Sequence, residues 1–252
     1  MPPISVIIIA KNEENNIADC VASALQISND VVVADTGSID NTIEIAEKAG
    51  AHVVQLQWLG YGLTRNKATE FAHNNWIFVA DADERITKTL ATTIHQLVLD
   101  EKLVYGCKRE SFLMNKKVRF GEWGIDKVYR LYNKNHTKWD DAKVHENLET
   151  NHLQKRIIAG SLLHYTMESM EEYYGKTEIY ARLSAEKYLI KNKKSSWIKK
   201  YISPVFSFIQ NYIFRLGFLD GKVGFIIAKE SCKYVYLKYA YLQKLQLSKT
   251  TN

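Results

Sequence analysis

Three carboxylates follow an apolar run within residues 76–84, and they are the side chains of this sequence best suited to chemistry. They are Asp81, Asp83 and Glu84, with Ala82 between the first two. Carboxylates grouped at a strand end repel one another unless a cation neutralises them, and a hydrated divalent metal with phosphate on its other side commonly does so. The pattern therefore predicts a metal–diphosphate site. The alternative is an ordinary acidic turn, because short Asp-x-Asp triplets often arise by chance.

The elements that position these acids can be predicted from the hydrophobic pattern. Apolar runs rich in β-branched residues predict buried strands at residues 4–10, 30–34, 51–57 and 76–80. Amphipathic stretches predict helices between them, one beginning near Ile17 and two at residues 43–49 and 64–73. The βαβαβαβ order predicts an α/β fold with a mainly parallel, doubly wound sheet, which binds ligands beyond the carboxyl ends of its strands. Glu13, Asp35 and the acids after the fourth strand all fall at that edge.

Four motifs, in order along the chain, resemble glycosyltransferase family 2, whose members have the GT-A fold. They are SVIIIAKNEE at 5–14, VVADTGSIDNT at 32–42, TRN at 64–66 and ADADE at 80–84. Three later segments resemble more narrowly the bacterial branch that includes lipopolysaccharide inner-core β-glucosyltransferases: RFGEW at 119–123, KVYRLY at 127–132 and VHEN at 144–147. The resemblance implies inverting transfer of a hexose from a nucleotide-diphosphate sugar such as UDP-glucose. The implied acceptor is a saccharide or a lipid-linked glycan of the cell envelope, such as lipopolysaccharide core.

The resemblance also implies where the donor binds. In such enzymes the backbone after the first strand and an Asp after the second strand hold the base and ribose, and the last Asp of the Asp-x-Asp motif holds the metal. The implied nucleotide-sugar ligands are Ala10, Lys11, Glu13, Asp35, Arg65, Asp81, Ala82 and Asp83. Carboxylates suit this role because they accept hydrogen bonds from ribose hydroxyls or a uracil N–H. The alternatives are turn or helix-cap roles for Asp35 and Asp40, and an exposed helix charge for Arg65.

Inverting transfer also needs a general base on the acceptor side. Direct displacement at the anomeric carbon requires a carboxylate that takes the proton of the acceptor hydroxyl. The family usually places this base in a later loop, and Glu146 is the residue that we assign to the role. Asp140 and Asp141 lie in the same loop and are the alternatives.

Three further residues receive roles on the acceptor and metal side. Trp123 is predicted to form a platform for the acceptor sugar, because aromatic faces stack on the C–H faces of sugars, and Arg130 is predicted to steady a phosphate. His164 ends an apolar strand and is predicted to complete the coordination of Mn²⁺ or Mg²⁺ beside Asp83. The alternatives are a core tryptophan, a surface arginine and a histidine with satisfied hydrogen bonds in the core.

Charge is distributed unevenly along the chain. Residues 191–252 contain 12 Lys and Arg against 2 Asp and Glu, a net charge of +10, whereas residues 1–190 contain 22 and 26, a net charge of −4. We therefore expect a GT-A catalytic domain at 1–190 and a basic, aromatic-rich helical extension at 191–252. Segments 197–219 and 223–247 mix aromatic and aliphatic residues with spaced lysines, which is typical of helices that lie on an anionic membrane. A hairpin packed on the core, or a homodimer interface, is the alternative.

Composition agrees with these expectations. Three scattered cysteines suggest a reducing cytoplasm, and no signal peptide precedes the first strand, so we expect a cytoplasmic enzyme on the inner face of the bacterial plasma membrane. No recognition motif accompanies the lysines, so nucleic acid is not an expected partner. A sugar-1-phosphate nucleotidylyltransferase would be expected to have a Gly-rich loop where Lys11, Asn12 and Glu13 stand. The intact acidic motif argues against a nucleotide- or glycan-binding protein without catalytic activity.

Overall fold

The computed structural model describes residues 2–141, 146–167 and 169–250. The chain forms two compact units, one made of Met1–Glu110 with Asp126–His164 and the other of Ser111–Ile125 with Tyr165–Asn252. The predicted boundary between residues 190 and 191 falls inside the second unit, at the end of a helix, and it stays a prediction.

Strands and helices alternate through the first part of the chain. The elements are β1 (Ile4–Ala10), α1 (Ile17–Ala24), β2 (Asp30–Asp35), α2 (Thr42–Lys48), β3 (His52–Gln55), α3 (Tyr61–Ala68), β4 (Trp76–Asp81), β5 (Glu84–Ile86) and α4 (Lys88–Gln96). The predicted α/β order is confirmed. Helix α3 begins at Tyr61 rather than at residue 64, and a 3₁₀ turn over Thr69–Phe71 follows it.

The later strands complete one sheet. They are β6 (Leu103–Leu113), β7 (Lys116–Lys117), β8 (Lys127–Asn133) and β9 (Gln154–Met167). The order is β3-β2-β1-β4-β8-β6-β9-β5, with β7 paired to β6. Strands β1 to β4 are parallel to one another, whereas β8 is antiparallel to β4 and to β6. The parallel part matches the prediction, and its register places Ala10 beside Asp35 and Ile9 beside Asp81.

Each face of the parallel strands is buried in its own apolar cluster. In β1, Val6 and Ile8 contribute to one cluster and Ile7 to the other, because successive side chains of a strand point to opposite faces. Burial of both faces explains why β1 is apolar at nearly every position. Its one polar side chain, Ser5, is satisfied by hydrogen bonds with Asp30 and Asn74.

The second unit is mainly helical, with α5 (Met170–Ile190), α6 (Ser203–Ile209) and α7 (Gly221–Thr250). Helix α6 is flanked by π-helical turns over Ile198–Ile202 and Gln210–Phe214, so the chain is helical from 198 to 214. A Cβ on Gly224 would lie 1.8 Å from the carbonyl oxygen of Gly217, so α7 can approach the preceding turn only with glycine there. Within the described ranges, no helix combines the length and the apolar character needed to cross a bilayer.

Candidate functional site

The acidic motif forms a tight connection between two strands. Strand β4 ends at Asp81 and β5 begins at Glu84, so Ala82 and Asp83 alone link them. Glu84 is fully buried, and its Oε2 accepts the backbone N–H of Asp81 at 3.0 Å. The Cys20 thiol on α1 donates to the carbonyl oxygen of Asp81 at 3.4 Å. The turn is thus anchored from the core, while the Asp81 and Asp83 side chains remain partly exposed.

Two buried arginines supply the cations that this acidic cluster needs. Asp81 Oδ1 lies 2.5 Å from Arg65 Nη2, and its Oδ2 lies 2.7 Å from Arg130 Nη2. The same Arg130 nitrogen lies 2.8 Å from Glu84 Oε1. Because Arg65 and Arg130 are 2% and 4% exposed, neither is the surface charge offered as an alternative. For Asp81 and Glu84 the neutralising cations in the structure are guanidinium groups, and the predicted metal–diphosphate site stays a prediction.

The arginines also fix the ionisation of Asp81. Burial raises the pKa of this carboxyl, but the charges of Arg130 and then Arg65, with their hydrogen bonds, outweigh burial and hold the pKa well below its usual range. For Arg130, burial lowers the pKa, but the charges of Asp81 and Glu84 raise it well above its usual value. Asp81 and Arg130 are therefore both charged at neutral pH.

Asp83 is the acid of the motif that remains to bind a cation, and His164 lies beside it. Strand β9 pairs with β5 so that His164 stands opposite Glu84, and its Nε2 lies 3.3 Å from Asp83 Oδ2. The His164 side chain is 16% exposed, yet its Nδ1 is buried without a hydrogen-bond partner in the described part of the chain. His164 is therefore not the satisfied core histidine offered as an alternative.

Asp83 and His164 suit a divalent metal whose remaining ligands are supplied by the substrate and by water. Mg²⁺ usually takes one or two protein carboxylates and fills its remaining positions with phosphate oxygens and water. The described residues hold no group of three or more Cys, His, Asp and Glu side chains that could cage a metal. Asp83 and His164 would thus hold the ion together with a diphosphate, and their predicted role as metal ligands stays a prediction.

The loop after β8 brings Glu146 to the same cluster. Glu146 forms an ion pair with Arg65 Nη1, so one guanidinium bridges Glu146 and Asp81. The Arg65 guanidinium also lies 4.6 Å from the centre of the Trp139 ring, which adds a cation–π contact. Asn66 fixes Trp139 through two hydrogen bonds, with its Nδ2 donating to the Trp139 carbonyl and its Oδ1 accepting the Trp139 N–H. Helix α3 thus carries both Arg65 and the residue that holds the loop.

The other acids of this loop occupy different positions. Asp140 Oδ1 accepts the Asn147 N–H at 3.1 Å and so closes the loop, whereas Asp141 is exposed. A Cβ on Gly62 would lie 2.0 Å from the Asp140 carbonyl oxygen, so the loop approaches α3 closely at a glycine. Of the three candidate bases, Glu146 is the one that the described contacts join to the acidic turn. The rest of the VHEN motif, at 144 and 145, lies outside the described residues.

The residues predicted to hold the nucleotide line the ends of β1 and β2. Asp35 is 1% exposed, and its Oδ1 accepts the N–H groups of Gly37 and Ser38 at 2.9 and 3.0 Å. Its other oxygen is bonded to the Ser38 hydroxyl. These contacts match the alternative of a turn residue, and contact with the base or ribose stays a prediction. Ala10 is buried beside Asp35, and Lys11 is exposed at the start of the loop.

Two neighbouring acids also have identified partners. Glu13 Oε2 accepts the side-chain N–H of Asn16 at 3.0 Å. Asp40 Oδ1 accepts the N–H of Thr42, the first residue of α2, at 3.1 Å. Burial raises the pKa of Asp40, but hydrogen bonds from Thr42 prevail and lower it. Asp40 thus accepts a hydrogen bond at the N-terminus of α2, which matches the turn or helix-cap role given as its alternative.

Trp123 belongs to the second unit. Its ring lies 5.6 Å from that of Tyr173, beside the apolar cluster that includes Val223 and Ile227. This packing matches the alternative of a core tryptophan, and the role of sugar platform stays a prediction. Sequence reasoning missed the buried network that joins Glu84 to Arg130 and to Arg109, whose Nη1 lies 3.6 Å from Glu84. The available signal was Arg130 within the largely apolar KVYRLY motif at 127–132, because buried arginines are almost always paired.

Comparison with known proteins agrees with the motifs. The sequence model of the family described as "Glycosyl transferase family 2" matches residues 5–163. An uncharacterized glycosyltransferase of Rickettsia typhi, RT0209, is 28% identical over 98% of this chain and 87% of its own length. The lipopolysaccharide core biosynthesis glycosyltransferase LpsC of Rhizobium meliloti is 29% identical over 94% of this chain and 91% of its own length. Among solved structures, S. aureus TarS 1-349 in complex with UDP-GlcNAc is 16% identical over 96% of this chain and 92% of that chain, with a TM-score of 0.47. Because the family model covers more than half of the sequence, the chain belongs to glycosyltransferase family 2.

Proposed function

We propose that this protein transfers a hexose, with inversion, from a UDP-glucose-like donor to a saccharide or lipid-linked acceptor of a cell-envelope glycan. The observation that carries the proposal is the Arg65 guanidinium, which joins Asp81 of the acidic motif to Glu146 of the later loop. A donor-side acid and a candidate base on two distant segments thus share one buried cation. A displacement reaction needs both a donor site and a proton acceptor within reach of the acceptor hydroxyl, and the proximity of these two acids supports the proposal.

The donor diphosphate would lie against Asp83 and His164. These two side chains would hold Mn²⁺ or Mg²⁺, and such an ion would neutralise the charge that develops on the leaving nucleotide diphosphate. Asp81 would face the ribose, held in place by the two arginines. The backbone at Ala10 and Lys11, with Glu13, Asp35 and Ala82, would line the rest of the nucleotide site.

The acceptor would react beside Glu146. As the acceptor oxygen bonds to the anomeric carbon, the bond from that carbon to the diphosphate oxygen breaks, and the acceptor proton passes to the Glu146 carboxylate. Attack from the face opposite the leaving group inverts the anomeric centre. Asp141, exposed in the same loop, is the alternative base. The roles proposed for Trp123 in acceptor binding and for Arg130 in phosphate binding rest on the motif resemblance alone, since Arg130 is buried and already paired with Asp81 and Glu84.

The name of one relative supports a cell-envelope acceptor. LpsC is named for lipopolysaccharide core biosynthesis and aligns along nearly the whole chain. We therefore propose an acceptor of lipopolysaccharide-core type and a position on the inner face of the plasma membrane, where lipid-linked glycans are presented. The basic, aromatic-rich residues 191–252 would provide the attachment.

Donor turnover tests this proposal directly. The purified full chain would be mixed with UDP-glucose, UDP-galactose, UDP-GlcNAc or GDP-mannose, with Mn²⁺ or Mg²⁺ and core oligosaccharide, and the released nucleotide diphosphate measured. We expect release with one UDP-sugar that depends on acceptor and stops on chelation, and a product whose NMR spectrum shows the inverted anomer. Release of pyrophosphate, or a product with the donor's anomeric configuration, would contradict the proposal. Asp83→Asn is the matched control for background hydrolysis.

A further inference from the structure

The helical segment 197–214 exposes large apolar side chains to solvent. Trp197 is 67% exposed, Ile198 62%, Phe206 58% and Phe214 71%. Tyr201, Ile202, Val205, Ile209 and Ile213 are also exposed. Contiguous exposed apolar surface of this kind is uncommon on soluble proteins and marks a surface that contacts another apolar phase.

The polarity of this segment is the reverse of that of an ordinary surface helix. Its two buried residues are Pro204 and Asn211, and Asn211 donates from Nδ2 to Glu122 at 3.2 Å. Positions 198, 202, 205, 209 and 213 follow one another at separations of three and four, so their aliphatic side chains share one helix face. That face points to solvent, and packing within the unit does not account for it.

Charge around the segment indicates what would cover this face. Exposed lysines precede it at Lys193 and Lys194, and Lys199 is exposed within it. The two acids of residues 191–252 are both engaged inside the unit. Asp220 accepts the N–H groups of residues 119 and 120, and Glu230 is 3% exposed with Lys233 Nζ 3.7 Å away. The apolar face is therefore accompanied by exposed lysines. The exposed carboxylate of Glu122 contacts Asn211, which is a buried residue of the segment and not one of the apolar-face positions.

We infer that the exposed face of residues 197–214 docks on an anionic lipid surface, with its aromatic and aliphatic side chains at the acyl boundary and the lysines among the headgroups. The inference deepens the proposed function, because it names the face that would hold the enzyme near a lipid-linked acceptor. Binding itself requires neither donor nor acceptor. Vesicle binding and sugar transfer can thus fail independently.

Co-sedimentation with vesicles tests the inference on the full chain. We expect binding to vesicles containing phosphatidylglycerol, weaker binding to phosphatidylcholine vesicles, and only partial loss in high salt, because salt screens the lysines but not apolar burial. Phe206→Ser with Phe214→Ser should weaken partitioning by roughly tenfold per residue, from the apolar area lost. The matched control is Val98→Ser, since Val98 is 86% exposed in the other unit and should leave binding unchanged.

Three outcomes would overturn the inference. One is equal binding to anionic and neutral vesicles. Another is parental binding by the Phe206 and Phe214 double variant, with its fold checked by circular dichroism. The third is a dimer in analytical ultracentrifugation that the same double variant abolishes, since a second copy would then cover the face. The double variant Lys193→Glu with Lys194→Glu gives an independent check. It should weaken binding to anionic vesicles and leave binding to neutral vesicles unchanged, because both lysines are exposed.

Discussion

Loss of Arg130 should destabilise the protein more than loss of any exposed arginine. Arg130→Met removes the 2.7 and 2.8 Å contacts to Asp81 and Glu84 and leaves Glu84, which is 0% exposed, with Arg109 at 3.6 Å as its nearest cation. Removing one partner of a buried ion pair typically costs about 3–5 kcal/mol, because the remaining charge is buried without compensation. For a chain of this size, each kcal/mol lowers Tm by roughly 2–4 °C. We therefore expect Tm to fall by roughly 6–20 °C.

The pH dependence of this loss provides a second measurement. The folded-state pKa of Asp81 is depressed, so its contribution to stability is present above its unfolded pKa of about 3.9 and is lost as pH falls towards the folded value. Without the charge of Arg130, the pKa of Asp81 should be depressed less. The difference in unfolding free energy between parent and variant should therefore be largest above about pH 4 and should narrow below it.

Urea unfolding followed by far-UV circular dichroism, from about pH 3 to pH 7, would measure both effects. The matched control is Arg156→Met, because Arg156 is exposed in the same unit and a substitution on the surface usually changes stability by only about 0.5 kcal/mol. Adding Glu84→Gln to Arg130→Met should recover part of the loss, because it removes a stranded charge. A loss for Arg130→Met no larger than that of the control, or a difference that widens in acid, would refute this account of the cluster.

Three other substitutions test the site. Asp83→Asn should keep the fold, because the side chain lies outside the core. The rate of nucleotide release at saturating metal should fall more than tenfold, which corresponds to a rise in activation free energy of more than about 1.4 kcal/mol. If more than about a tenth of the activity remained, the metal role would be excluded. Glu146→Gln should bind UDP like the parent while kcat falls roughly 10²-fold or more, whereas an active Glu146→Gln with a dead Asp141→Asn would move the base to Asp141. Gly62→Ala should lose about 1–3 kcal/mol in urea unfolding, because its Cβ would lie 2.0 Å from a carbonyl oxygen of the facing loop. Gly175→Ala, with open space around it, is the control, and equal effects would contradict the steric argument.

The parallel strands could be predicted because their signal is local. Strand β1 is apolar over all but one of its positions and ends where polar residues begin, and the structure keeps the predicted bounds, Ile4–Ala10. Strands β2 and β4 each extend one residue beyond their predicted ends, to Asp35 and Asp81. Parallel strands buried on both faces carry this pattern whatever lies elsewhere in the chain. The collection of acids at one sheet edge follows directly from it.

The partners of those acids could not be predicted, because they come from distant segments. Arg130 reaches Asp81 from a strand 49 positions later, and Glu146 reaches Arg65 across 81 positions. A single sequence shows the charges but not which of them meet. Guanidinium groups and a divalent metal satisfy the same electrostatic requirement, so the acidic motif alone could not distinguish them. The outward apolar face of residues 197–214 was equally hidden, since its orientation depends on what the segment packs against.

The wide spacing of the site residues also fixes an order of events during synthesis. Asp81 and Arg65 belong to the first part of the chain, whereas Arg130, Glu146 and His164 follow one after another. At roughly 5–20 residues per second, the ribosome adds Arg130, the second cation of the acidic turn, about 2–10 s after Asp81. Until then the acidic turn after β4 has Arg65 as a partner for Asp81 but lacks Arg130, so its unpaired carboxylate oxygens must remain hydrated. Cotranslational folding can therefore build the parallel sheet early, but the last charges of the site enter only when the later strands are made.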